Sequence, residues 1–218
     1  MADLFFAEHH FIARADRTLW HPASGRLLLS DLHLGKGAIF RHAGIPIPAA
    51  SENADLDRLQ QAVTTSGATA LWILGDLFHA PRQITAAQCT QWKMRFAALD
   101  IELWVILGNH DRFGADIAEA LGFQIAPEPT AFGGCDLAHH PDSDASRPRI
   151  AGHIHPQVLL KQATDQLVYP CFAVLNQQTL LLPAFTNFSG GPRFRPQDAD
   201  CYAITPLGVL PPHKLAPR

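Results

Sequence analysis

Three short apolar runs in the first half of the chain each end in polar residues. The runs are "RLLLSDLHLG" (26–35), "ALWILGDLFH" (70–79) and "LWVILGNHD" (103–111). Continuous apolar runs of about four or five residues are typical of strands that are covered on both faces. Each run therefore predicts a buried strand whose polar residues lie at its carboxyl end.

A stretch with helical spacing follows the first run. From Ser51 onwards, Leu56, Leu59 and Val63 recur at this spacing, and Gly67 is a suitable stop.

A second helical stretch follows the run at 70–79. It begins with a capping box over "TAAQ" (85–88), and Ile84 and Cys89 form a candidate hydrophobic staple. Cys89, Trp92, Phe96 and Leu99 then share one face. Strands that alternate with helices over residues 26–125 predict an α/β layer fold.

The second half of the chain has a different pattern. After "GFQIAPEP" (122–129) come short strand-like runs separated by Pro, Gly and Asn: "CDLAHH", "RIAGH", "QVLLK", "LVYPCFAVL", "QTLLLPAF" and "CYAITPLGV". "HPDSDASRPR" (140–149) has the composition of a polar surface loop. We expect a β-rich half packed on the α/β half, with residues 1–218 forming a single domain.

Composition narrows the class of protein. The chain has 218 residues, 47% of them hydrophobic and 17% charged, which suits a globular domain with a large core. The formal net charge of −3 gives no global basic field for nucleic acid, so any such contact has to be local.

The cysteines and the N-terminus predict a cytoplasmic protein. Cys89, Cys135, Cys171 and Cys201 lie far apart without a CxxC pair, which favours free thiols in a reducing compartment. "MADLFFAEHH" is unlike a signal peptide, and no apolar run reaches the roughly 18 residues of a membrane span. The 12 histidines are the unusual feature of the composition.

Oxygen and imidazole donors collect where strands are expected to end. In open α/β sheets functional groups lie at the carboxyl ends of the strands. Carboxylate, amide and imidazole donors without thiolates suit Mn²⁺, Fe²⁺ or Zn²⁺. The candidate ligands are Asp31, His33, Asp76, Asn109, His139, His153 and His155.

Seven donors are too many for one ion. Two ions bridged by one carboxylate would use them, and such a pair can clamp a phosphate and generate hydroxide at neutral pH. DxH alone is a weak signal, and GNHD alone is compatible with an ordinary turn. The ordered set DxH, GD, GNHD, H and GHxH is far less expected by chance than any one motif.

This ordered set, "DLH…GD…GNHD…H…GHIH", resembles the calcineurin-like metallophosphoesterase superfamily over residues 26–192. The resemblance implies a four-layer α/β/β/α sandwich with a dinuclear metal centre. It also implies which ligands share an ion: Asp31, His33 and His155 on one, Asn109, His139 and His153 on the other, with Asp76 bridging the two.

The resemblance further implies catalytic roles for His110 and Asp111. His110 would be the unligated histidine that faces the scissile phosphate, and Asp111 would orient and charge its imidazole. Many members have an acidic residue where "GDLFH" has His79, so His79 becomes a candidate substrate contact.

Three longer segments are similar to a narrower group, the bacterial ligase-associated DNA-damage-response phosphoesterases. They are "DLHLGKGAIFRHAGIPIP", "LGDLFHA" and "LLPAFTNFSGG". This similarity implies an endonuclease that acts on DNA in repair and is associated with a DNA ligase and a helicase. It is the only basis for DNA as the substrate; charge and composition do not supply it.

Several other polar residues are weaker candidates for substrate contacts. Arg112 follows GNHD, and we interpret it as a substrate contact. Lys36 and Arg41 are candidates for contact with a phosphate backbone and are equally compatible with a solvated surface. Arg193 and Arg195 are weaker candidates for a basic strip, since a solvated surface explains them better. Asn187, Ser189, Gly190 and Gly191 form either a loop near the site or an ordinary turn. We assign the remaining histidines, His9, His10, His21, His42 and His213, to the surface or to packing.

The predicted reaction is hydrolysis of a phosphodiester with two divalent ions, Mn²⁺ being favoured. One alternative is a small-molecule nucleotide phosphodiesterase or nucleotide-sugar pyrophosphatase, although the chain shows no inserted amphipathic lid for a lipid-linked nucleotide. Another is a non-catalytic interaction module of the same fold. The presence of His110 argues against the second alternative.

Adjacent histidines at 139 and 140 leave one ligand assignment open from the pattern alone. Neighbouring side chains in a strand point to opposite faces, so only one of the pair can readily reach the ions. The family resemblance places His139 on the metal and His140 at the mouth of the site as a substrate contact.

Overall fold

The computed structural model describes residues 1–46, 48, 51–142, 145–162, 165–187 and 189–215, without the side chains of 161, 162 and 165. Each predicted apolar run of the first half forms a strand. These strands lie in a seven-stranded sheet in which neighbours in the chain are neighbours in space. Its members are β1 (Ala2–Phe6), β2 (His9–Ala13), β3 (Leu19–His21), β4 (Arg26–Leu29), β5 (Ala70–Leu74), β6 (Glu102–Ile106) and β7 (Gln124–Ala126).

Strand direction changes within this first sheet. β1 to β4 form an antiparallel meander, and β4 to β7 are parallel, so β4, β5 and β6 bring their carboxyl ends to one edge. The meander β1–β3 was not predicted, since short half-buried strands give a weak alternating pattern.

Helices cover one face of the first sheet. They are α1 (Lys36–His42), α2 (Ser51–Ser66), α3 (Ala86–Ala97) and α4 (Ala115–Ala120). The predicted start of α3 is confirmed, since the Thr85 hydroxyl accepts the backbone N–H of Gln88 and the side-chain Oε1 of Gln88 accepts the backbone N–H of Thr85. The predicted stop of α2 is confirmed at Gly67, which has the left-handed φ of 68° that glycine adopts readily.

The second half is β-rich, as its short apolar runs predicted, and its strands form one nine-stranded sheet. The order β14-β11-β12-β13-β10-β9-β8 is extended by β15, which pairs with β12, and by β16, which pairs with β15. β9 and β10 are parallel neighbours. The bounds are β8 (Thr130–Phe132), β9 (Cys135–Ala138), β10 (Arg149–Ala151), β11 (Gln157–Gln162), β12 (Asp165–Leu175), β13 (Thr179–Leu181), β14 (Arg193–Phe194), β15 (Asp200–Thr205) and β16 (Gly208–Leu210).

Three apolar clusters separate the layers. One lies between the helices and the first sheet and includes Trp92 and Phe96. A second fills the space between the two sheets, with Leu28 and Leu74 facing Leu137 and Phe172. The third lies on the outer side of the second sheet.

The metallophosphoesterase-type sandwich is confirmed. Its outermost layer differs in detail from the expected helical one, because no α-helix follows Ala120 within the described ranges. Side chains such as Phe194 and Leu215 pack against the outer cluster instead. In the described part of the chain, no helix is long and apolar enough to span a membrane.

Candidate metal centre

Glycines let the two sheets meet closely at the edge where the ligands lie. A Cβ on Gly75 would come within 2.0 Å of the His139 ring, and one on Gly108 within 2.3 Å of the Asp76 carboxylate. A Cβ on Gly152 would come within 2.9 Å of the Asp31 carboxylate. The glycines of the GD, GN and GH motifs are therefore required by packing against the ligands themselves.

The backbone at the ligands is unusual. A positive φ is uncommon for residues other than glycine, and such strain concentrates at functional sites. Among the predicted ligands, positive φ values between 51° and 66° occur at Asp31, His33, Asp76, His153 and His155.

The first group of donors consists of Asp31, His33 and His155, which lie close enough together to hold one ion. The Asp31 Oδ1 and His155 Nε2 atoms are 3.0 Å apart, yet they do not form a hydrogen bond in this geometry. His155 Nδ1 donates to the carbonyl of Gly190 at 3.3 Å, so in the neutral imidazole Nε2 carries the lone pair that a cation would take.

The protonation states of His33 and Asp31 suit the binding of a cation. Desolvation by burial, assisted by the charge of Lys36, lowers the pKa of His33 to about 2, so its imidazole is neutral. Burial alone would raise the pKa of Asp31, but His155, Ser30 and His139 together hold it below its ordinary value.

The second group consists of Asn109, His139 and His153. His139 Nε2 lies 3.0 Å from Asn109 Oδ1 and 3.2 Å from His153 Nδ1. His139 Nδ1 donates to the carbonyl of Leu74 at 3.0 Å, so the nitrogen that faces the other two donors is the one free to bind metal.

Asp76 lies between the two groups. One carboxylate oxygen, Oδ2, is 3.8 Å from His33 Nε2 in the first group. The other, Oδ1, is 3.5 Å from His139 Nε2 in the second and accepts the His110 N–H at 2.9 Å. Burial raises the pKa of Asp76, a shift that a nearby cation would oppose.

The donor set fits two divalent ions. Buried polar atoms are normally hydrogen-bonded, and each exception needs an explanation. Within the described residues, the buried side-chain atoms without a hydrogen-bond partner include Asp31 Oδ1, both ring nitrogens of His33 and His155 Nε2. Bound cations would satisfy these atoms, and the oxygen and imidazole chemistry suits Mn²⁺, Fe²⁺ or Zn²⁺.

His110 lies beside the two groups and is held by His79. Its Nδ1 donates to the backbone carbonyl of His79 at 2.8 Å, and the two rings stack with centroids 5.0 Å apart. Burial, together with Lys36 and His110, lowers the pKa of His79 to about 4. His79 therefore presents a neutral ring next to His110.

The expected contact between Asp111 and the His110 ring is not formed, and this part of the sequence-based prediction is wrong. The Asp111 carboxylate is fully buried and accepts the backbone N–H groups of Leu77, Phe78 and Gly108 at 3.1, 2.8 and 2.9 Å. Burial raises the pKa of Asp111 to about 6 in spite of these donors. Asp111 links the turn at 77–78 to the turn at 108–111 by hydrogen bonds. The backbone carbonyl of His79 orients the His110 ring.

Glu128 is a residue of the site that sequence reasoning missed. Its Oε1 atom accepts the backbone N–H groups of His139 and His140 at 2.9 and 2.8 Å and lies 3.3 Å from His140 Nδ1. His139 is fully buried, whereas His140 is exposed at the rim. The ring of His140 is still near enough to His139 and His153 for all three to share an ion.

The weaker candidates are distributed unevenly around the site. Lys36 Nζ donates to the Ser189 hydroxyl at 3.1 Å, and Gly190 contacts His155, so this loop does lie at the site. Asn187 instead donates to Asp55 at 3.1 Å.

The arginine candidates also differ from one another. Arg112 is exposed next to His110, and Arg41 is exposed at the end of α1. Arg195 pairs with Asp198 at 2.9 Å, which weakens its candidacy for a phosphate contact, and Arg193 is exposed on β14.

The fold and the donor set together define a metal-dependent phosphoesterase. The family model for calcineurin-like phosphoesterases matches residues 26–164, and the chain belongs to this family.

Solved structures include similar chains. The crystal structure of the Pseudomonas putida nuclease MPE is 28% identical with a TM-score of 0.80, covering 93% of this chain and 96% of the nuclease. The phosphoesterase Yfce from E. coli is 18% identical with a TM-score of 0.39, covering 72% of this chain and 77% of its own. A protein of unknown function from Aquifex aeolicus is 19% identical with a TM-score of 0.42, covering 60% and 78%. The search of curated proteins found no match.

Proposed function

We propose that this protein is a dinuclear-metal phosphodiesterase that cleaves DNA, as an endonuclease in DNA repair. The observation that carries the proposal is the convergence of seven oxygen and imidazole donors into two adjacent groups with Asp76 between them. Two such sites suit hydrolysis of a phosphodiester, in which both the attacking oxygen and the leaving oxygen need stabilisation.

Each ion would take ligands from both sheets. Asp31, His33 and His155 would hold one ion, and Asn109, His139 and His153 the other. Asp76 would serve both with its two oxygens. When bound, the ions would polarise the phosphate oxygens and activate a water molecule for attack. We expect Mn²⁺ as the preferred metal. Because both groups draw on both sheets, we also expect residues 1–218 to act as one domain.

His110 would stabilise negative charge on the leaving oxygen. Its Nδ1 proton is engaged by the His79 carbonyl, so the imidazolium form would carry its second proton on Nε2. From that nitrogen it can stabilise the developing charge and protonate the leaving group, a contribution of typically about 10²–10⁴-fold.

A nucleic acid as the substrate is supported by the similar nuclease from Pseudomonas putida, which covers nearly the whole chain. The choice of DNA follows from the resemblance of the sequence to the ligase-associated phosphoesterases. His140 is exposed beside His139 and His153, Arg112 is exposed and follows His110 in the chain, and His79 is stacked on His110. These three residues are our candidates for contacts with the phosphate backbone. Association with a DNA ligase and a helicase, and a cytoplasmic location, stay predictions from the sequence.

An activity panel on the full-length protein tests the proposal. The chain is stripped with a chelator, checked by elemental analysis, and reloaded with Mn²⁺, Zn²⁺ or Mg²⁺. Substrates are bis-p-nitrophenyl phosphate, single-stranded DNA, duplex DNA and cyclic nucleotides. We expect Mn²⁺ to restore most activity, with cleavage inside a circular single-stranded DNA.

Two outcomes would contradict the proposal at different levels. Undiminished hydrolysis in a chain shown to be free of metal would remove the dinuclear mechanism. Turnover of cyclic nucleotides or dinucleotide pyrophosphates with no cleavage of any DNA would replace the nuclease by a small-molecule phosphodiesterase.

A further inference from the structure

Phe113 is an exposed aromatic side chain three residues beyond His110. Its side chain is 54% exposed, although a phenylalanine usually removes most of its ring from water. An isolated exposed phenylalanine would need no explanation. This one lies in the same turn as the residue that faces the reaction and is accompanied by cationic groups.

Two arginines lie close to the ring of Phe113. The guanidinium carbon of Arg82 lies 3.7 Å from the ring centroid, and that of Arg112 lies 5.5 Å from it. The closer contact holds the ring against the short helical turn Pro81–Gln83. Both guanidiniums are exposed, so they can also meet a phosphate group.

The turns that carry these residues run side by side out of the metal centre. His79 and His110 are paired by a hydrogen bond of 2.8 Å and by stacked rings. Three residues later in each turn, Arg82 and Phe113 are paired as well. The aromatic patch formed by Arg82, Arg112 and Phe113 therefore begins where the His79–His110 pair ends.

The chemistry of the patch matches a nucleotide. A nucleobase offers a flat π-face for the phenyl ring, and its phosphate offers negative charge for the guanidiniums. Charge alone would recognise any phosphate, whereas an exposed ring with two arginines beside it adds a preference for a base. A base can stack in this way only when it is free of its own neighbours in a duplex.

We propose that Phe113 stacks on an unpaired base next to the scissile phosphate, with Arg82 holding the ring and Arg112 contacting the adjacent phosphate. The patch would then favour a polynucleotide over a simple phosphodiester. This inference rests on the proposed function as a nuclease.

The test compares Phe113→Ala and Phe113→Trp with the wild-type chain, all loaded with Mn²⁺. Phe5→Ala is the matched control, since Phe5 is 69% exposed and stacks on His10 at 4.9 Å on β1, a strand outside the metal centre. Substrates are a single-stranded oligonucleotide, the same oligonucleotide with abasic positions around the cleavage site, and bis-p-nitrophenyl phosphate. Binding of the oligonucleotide to the metal-free chains is measured by fluorescence anisotropy.

We expect Phe113→Ala to weaken oligonucleotide binding and turnover by about 5- to 100-fold, the range for loss of one stacked base. Phe113→Trp should retain both, and Phe5→Ala should change neither. On the abasic oligonucleotide and on bis-p-nitrophenyl phosphate, Phe113→Ala should match the wild-type chain.

The outcomes separate this inference from the proposed function. If the wild-type chain cleaves the oligonucleotide and Phe113→Ala does so equally well, the stacking contact is overturned and the nuclease stands. An equal loss on intact and abasic oligonucleotides would also overturn it. If the wild-type chain cleaves no oligonucleotide at all, the proposed function fails and this inference fails with it.

Discussion

His110 donates its Nδ1 proton to the backbone carbonyl of His79, and the two imidazole rings stack at 5.0 Å with an angle of 19° between their planes. A backbone carbonyl fixes the tautomer and orientation of His110 without adding a charge. Since His79 lies in the turn after β5 and His110 in the turn after β6, two parallel strands set the position of one imidazole.

This arrangement predicts the behaviour of His110→Ala. The variant should keep about two ions per chain, because His110 is outside both proposed ligand sets. Diester turnover should fall by roughly 10²-fold or more, as expected for loss of an acid or charge-stabilising group. Metal content by elemental analysis and kcat with bis-p-nitrophenyl phosphate check the prediction. Loss of ions from this variant would make His110 a ligand.

Asp76→Ala should be the most damaging ligand substitution. The two carboxylate oxygens face different groups, at 3.8 Å from His33 and 3.5 Å from His139. We expect metal content to fall from about two ions per chain towards one or none, with nearly all turnover lost. The exposed Asp198→Ala is the control. Two ions at full occupancy in Asp76→Ala would show that the ions do not share this carboxylate.

His139→Ala and His140→Ala should differ although the residues are adjacent. His139 is fully buried with Nε2 at 3.0 Å from Asn109, whereas His140 is exposed and lies 3.3 Å from Glu128. We expect His139→Ala to lose one ion and nearly all turnover. His140→Ala should keep both ions and change mainly KM. The reverse pattern of metal content would exchange the two assignments.

Asp111→Asn tests the role that the structure gives to Asp111. The carboxylate accepts three backbone N–H groups, and an amide can accept with one oxygen only. We expect the free energy of unfolding, measured with urea in a chelator, to fall by about 2 kcal/mol. Unchanged stability with a displaced pH profile of kcat would instead restore the catalytic role that the sequence implied.

Much of the candidate metal centre was predictable because its residues follow buried strands. Asp31, Asp76 and Asn109 each follow an apolar run after one intervening residue, and parallel strands bring their carboxyl ends together. The pattern also predicted α2 and α3, whose apolar spacing and end signals are local. The residues that mark these ends, Gly67 after α2 and the Thr85–Gln88 capping box at the start of α3, lie within one turn of the helix they bound.

Other parts depend on contacts that no local pattern encodes. Glu128 reaches His139 and His140 from a turn eleven or twelve residues away, and nothing near Glu128 resembles a motif. The family resemblance implied that Asp111 contacts the His110 ring, and this contact is not formed. In the folded turn its side chain points to the backbone of the preceding loop at 77–78.

The two donor groups have a mechanical consequence for the sandwich as a whole. Each contains side chains from the turns of both sheets, since Asp31, His33, Asp76 and Asn109 follow strands of the first and His139, His153 and His155 follow strands of the second. Bound ions would therefore cross-link the two sheets at this edge. Ion loss would then leave the left-handed turns without the attraction that offsets their strain, and the layers could splay at this edge. Binding of the ions and close packing of the two sheets at this edge would then be thermodynamically coupled.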